Sequence, residues 1–144
     1  MLVSTVRVLI LTFLVLVASA IDSQDSRPAT NHFALCKRIP RADTKKYDSV
    51  RDASYWRNPQ LLVRPDGVEV IGVTAPGKGI PVGSVAEALE HLPDSAWPYG
   101  LVVMVSDLGV LSSGGDPSRI RANRSKLLRL LKASCLAVEL WPSA

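Results

Sequence analysis

Two histidines and two cysteines are all that the 144 residues contain, and neither type is clustered. His32 and His91 stand far apart, and no group of Cys, His, Asp or Glu has metal-ligand spacing, so no metal is expected. Histidine is the side chain best suited to proton transfer at neutral pH. His91 falls at the end of a short predicted helix, where a cation complements the dipole, and no Gly-x-Ser-x-Gly elbow accompanies it. Gly77-Lys78-Gly79 lacks the spacing of a phosphate loop. No cofactor is expected. The charge excess is also small, formally +4, which bears on solubility more than on the choice of partner.

A bilayer-spanning apolar run is missing as well. Val8 to Val17 has Thr12 as its only polar residue, but the apolar span ends at Ala20, short of the roughly 20 residues a membrane helix needs. Arg7 before it and Ala18-Ser19-Ala20 after it match a secretory signal cleaved after Ala20. The alternative is an uncleaved anchor, the one case in which membrane contact is expected. Cleavage removes Arg7 and no acid, lowering the charge from +4 to +3, and leaves 144 − 20 = 124 residues, enough for one core. The expected location is periplasmic or secreted. In an oxidising compartment Cys36 and Cys135 are expected to bond, closing a loop of about 100 residues worth up to about 4.7 kcal/mol. Free buried thiols, or a reactive thiol or metal ligand, are the alternatives.

Residues 21–54 read as a flexible N-terminal segment. Phe33, Leu35 and Ile39 offer some apolar surface for docking, while 41–52 is charge-rich and reads as a solvated linker. Residues 55–144 read as one α+β domain. Leu61-Leu62-Val63-Arg64 and Val68-Glu69-Val70-Ile71 flank Pro65-Asp66-Gly67, a hairpin signal. Ile80 and Val82 suggest a short strand. Ser84 and Glu87 have the spacing of a capping box for a helix stopped by Pro93. Gly100 to Val105 reads as a buried strand, and 108–115 as a glycine-rich loop. Asp116 and Pro117 open an amphipathic helix with Ile120, Arg124, Leu127, Leu128 and Leu131 on one face. Leu136 to Trp141 closes the sheet. The order β-β-(β)-α-β-α-β predicts a small two-layer sandwich: a mixed sheet with two helices on one face.

That succession, from Leu61 to Leu140, resembles the periplasmic domain of the ExbD/TolR biopolymer-transport family. The similar pieces are Leu62 to Val70, Ile80-Pro81-Val82-Gly83-Ser84 before the first helix, Val102 to Asp107, and Leu136 to Leu140. The resemblance implies a fold and an envelope location. It does not extend to energy transduction, because those proteins keep a membrane helix with an acidic residue, and here no Asp or Glu precedes Asp22.

The candidate binding residues are Asp107, Trp97 and Tyr99. Asp107 ends a buried strand beside the glycine-rich loop, where α/β scaffolds often carry sites. Trp97 and Tyr99, with Trp56 and Trp141, line a binding patch, or else Trp97 and Trp141 pack at the two ends of the sheet. The basic face of the second helix reads as solvated, and nucleic acid is not an expected partner. The expected function is an exported, non-catalytic accessory domain that binds an envelope protein or a second copy of itself. The alternative is a small exported enzyme with its site at Asp107 and the 108–115 loop.

Overall fold

The structure, a computed structural model, describes residues 34–109 and 116–143. The leader read in 1–20 and most of the 108–115 loop lie outside the described residues. Among those described, no helix is long and apolar enough to cross a membrane.

β1 (Gln60–Arg64) turns through Pro65-Asp66 into β2 (Gly67–Val70), which pairs with it antiparallel. Asp66 fixes the turn from outside: its carboxylate accepts from the Gly79 amide at 2.9 Å and from Arg64 Nε at 3.2 Å. These bonds, the Gly79 amide first, hold its pKa below the usual carboxylate range. Gly67, at φ +142°, lies so close to the Ile80 carbonyl that no Cβ fits between them. The contact belongs to an antiparallel bridge, with Val68 and Ile80 exchanging two hydrogen bonds of 2.9 Å. The short strand expected at Ile80 and Val82 is reduced to this single bridge, because Val82, the next residue whose backbone would face β2, already begins a 3₁₀ turn.

α2 (Val85–Glu90) follows, preceded by α1 (Leu35–Arg38) near the start of the described chain. The capping box expected at Ser84 and Glu87 does not form. Ser84 already has helical dihedrals and ends a 3₁₀ turn over Val82–Ser84, so its hydroxyl caps nothing. β3 (Val102–Asp107) lies between β1 and β4 (Ala137–Leu140), parallel to both. α3 (Pro117–Lys132) connects β3 to β4, with Asp116 capping it through the Ser118 amide at 2.8 Å. The mixed sheet has the order β2-β1-β3-β4.

The two faces are covered differently. Leu61, Val63, Val103 and Val105 meet Val85 and Leu89 of α2 and Ile120, Leu127 and Leu131 of α3 in the main core. Both predicted helices thus lie on one face. The other face, through Val102 and Met104, packs on Tyr47, Trp56 and Tyr99.

Packing against both faces of the sheet corrects the reading of 21–54 as flexible in its described part. Leu35, Ile39 and Tyr47 are buried. Arg38 reaches the Leu92 carbonyl at 2.8 Å and Asp94 at 2.7 Å. Leu101 donates to Pro40 and Tyr99 accepts from Asp43, each at 2.9 Å. The charge-rich stretch folds into one 3₁₀ turn, Thr44–Lys46, capped by Asp43, and its last residue, Asp52, caps a second, Ala53–Tyr55. Such turns have no amphipathic period, so a reading based on periodicity sees only a linker there.

Candidate functional site

The described residues leave one side of β4 without a partner strand. Ala137 donates to Leu101 and Trp141 to Val105, each at 2.9 Å, so residues 137, 139 and 141 turn their backbone groups toward β3. By strand alternation Val138 and Leu140 turn theirs the other way, each offering one N–H and one C=O. Pro142, the next position facing outward, has no N–H. Leu140 is 54% exposed, one of the few large apolar side chains left in solvent.

On the sheet face opposite the helices, β4 borders an aromatic cluster. Trp56 meets Tyr47 at a ring separation of 5.4 Å, Tyr99 at 5.2 Å and Trp141 at 6.4 Å, with edge-on geometries. A hollow of about 240 Å³ opens between Tyr47, Trp56 and Trp141, with Asp48, Arg51 and Glu139 at its walls. Burial, and then the Glu139 carboxylate beside it, push the Tyr47 phenol above its ordinary pKa of 10.0. Arg51 is folded back onto the Asp48 and Val50 carbonyls. Among the described residues neither Asp48 nor Glu139 forms an ion pair.

The three residues singled out in the sequence do not converge. Asp107 ends β3, and its Oδ2 accepts from Arg124 of α3 at 2.9 Å. Its other oxygen is buried without a hydrogen bond among the described residues. Trp97 is 3% exposed and belongs to the main core; Tyr99 is 8% exposed and belongs to the aromatic layer on the other face. Both are packing residues at the corner leading into β3. Asn58 locks that corner, accepting from the Tyr99 amide at 2.9 Å and donating to the Gly100 and Val102 carbonyls at 2.7 and 2.8 Å. Gly100, at φ +81°, lets the Arg41 carbonyl approach where a Cβ would collide.

Cys36 and Cys135 are bonded, tying α1 to the turn before β4. His91 sets Nδ1 2.7 Å from the Glu87 carbonyl, a helix-end contact. A second, larger cleft of about 560 Å³ lies between the Asp66 turn, Pro81 to Gly83, and Arg119, Asn123 and Lys126 of α3. Asn123 is committed there, donating to the Arg64 and Pro65 carbonyls at 2.8 and 3.3 Å. Among the described residues no three His, Cys, Asp or Glu side chains are grouped to hold a metal.

Sequence reasoning missed Tyr47, Asp48 and Glu139. The signal was faint: Tyr47 is the one aromatic in a charge-rich run, and Glu139 the one charge in an apolar strand. Comparison with known proteins finds no matching family model, curated relative or solved structure.

Proposed function

We propose that this chain is an exported, non-catalytic binding domain of the cell envelope, similar in design to the periplasmic domain of ExbD/TolR proteins. Its working surface is the outward side of β4, where a partner protein adds an extended segment to the sheet. The observation that carries this reading is the set of N–H and C=O groups of Val138 and Leu140, turned away from β3 beside an exposed Leu140. A row of this kind is a template for pairing. The strand is four residues long and Pro142 follows it, which suits one bounded segment better than an open-ended stack.

Export is supported by the composition of residues 1–20, and the Cys36–Cys135 bond is compatible with it. The order of strands and helices, in which the family resemblance lies, is also the order of the fold. The catalytic alternative has weaker support, since Arg124 already occupies one oxygen of Asp107 and, among the described residues, no nucleophile or histidine is hydrogen-bonded to that pair.

A photo-crosslinking residue at position 140, introduced in the native host, tests the reading. One discrete adduct from position 140, absent from a control at exposed Val73, is the expected outcome. Equal labelling from both positions, or none from 140, overturns it.

A further inference from the structure

The edge and the hollow share β4, and together they specify what the incoming strand carries. A second copy of β4 is a poor occupant. In the antiparallel pairing made by a two-fold axis, the register using both outward residues sets Val138 against Leu140 and Glu139 directly against Glu139. Like charges directly opposite each other destabilise a pair of strands. Centring the pair on Leu140 instead sets Val138 against Pro142, which has no N–H to give.

The charges favour a different partner. A residue opposite Glu139 on an added strand lies on the face that holds the hollow, since cross-strand neighbours share a face. Two carboxylates without ion pairs among the described residues, Asp48 and Glu139, stand at that hollow, and Arg51 is turned back on its own loop. Tyr47 and Trp141 supply aromatic wall against which an aliphatic stem packs and over which a cation is attracted.

We propose that the segment received by β4 is an extended peptide with a lysine or arginine opposite Glu139, its charged head between Asp48 and Glu139 and its stem against Tyr47 and Trp141. The inference rests on the edge-addition reading and adds the chemistry of the ligand. The short edge supplies register and few backbone bonds, and the hollow supplies selectivity for a basic side chain.

The test uses the oxidised full chain and three acetylated, amidated heptapeptides of alternating threonine and valine, with lysine, glutamate or serine at the centre. Amide exchange at Val138 and Leu140 reports strand addition, and tryptophan fluorescence reports occupation of the hollow. The lysine peptide is expected to protect both amides and to bind roughly fivefold tighter than the serine peptide, as one partly exposed ion pair allows. Glu139→Gln and Asp48→Asn are near-isosteric changes and are expected to erase that margin while leaving protection by the serine peptide unchanged. Equal protection by all three peptides overturns the basic-residue inference and leaves edge addition standing. Protection by none, or protection that grows with protein concentration alone, overturns both.

Discussion

Arg124 holds Asp107 across the layer boundary: its guanidinium, on the third turn of α3, meets the carboxylate at the end of β3 at 2.9 Å. Arg124 stands on the same helix face as Ile120, Leu127 and Leu131, at the edge where the apolar stripe meets solvent. The bond therefore sets the seating of α3 against the strand. Asp107 is about one-fifth exposed and Arg124 about two-fifths, which limits the energy of the pair. Arg124→Ala is expected to cost about 1 kcal/mol, lowering Tm by roughly 4 °C. Asp107→Asn is expected to cost no more, and the double variant less than the two costs added. Strict additivity in thermal melts would show that the two side chains do not act as a pair.

Asn58 is the more costly polar residue to lose. It is 4% exposed, and among the described residues no other group accepts the Tyr99 amide. Asn58→Leu keeps the branched side-chain skeleton and abandons three hydrogen bonds, so a loss of about 3 kcal/mol is expected in urea unfolding. A loss under about 1 kcal/mol would mean that the corner is held by Trp97 and Tyr99 packing alone.

The disulfide spans 99 residues and joins two exposed cysteines. Its removal as Cys36→Ser with Cys135→Ser is expected to lower stability by up to about 4.7 kcal/mol, through the freedom returned to the unfolded chain. Alkylation of protein from its native host should succeed only after reduction. Intact mass from the same sample tests export, with a mature chain beginning at Ile21 as the expected result.

Tyr47 titrates above its ordinary value, for which burial and then Glu139 are responsible. A group whose folded pKa is raised contributes stability that is complete below the unfolded pKa, here 10.0, and is lost as pH climbs through the folded value. Alkaline absorbance titration should thus show Tyr47 ionising late, with unfolding promoted over the same pH range. Glu139→Gln should move that tyrosine back toward 10.0 without restoring it fully, because burial remains. An unchanged late transition would place Glu139 outside the electrostatic reach of Tyr47.

Local chemistry was enough to read much of this fold. The Pro65-Asp66-Gly67 turn, the Asp116 cap and the leucine stripe of α3 depend on neighbours within a few residues, where the period of side chains and the φ preference of glycine act directly. The sequence also determined the mixed sheet with both helices on one face, since strands parted by helices have few ways to share a sheet. Tertiary structure alone decided the rest. Trp97 and Tyr99, adjacent to the same strand, go to opposite faces and into the core, where neither is free to bind. Tyr47 and Asp48 reach Glu139 from about ninety positions away, by folding a stretch with no period against the second face of the sheet. Which strand is left at an edge follows from pairing order, a long-range property that no window of residues encodes.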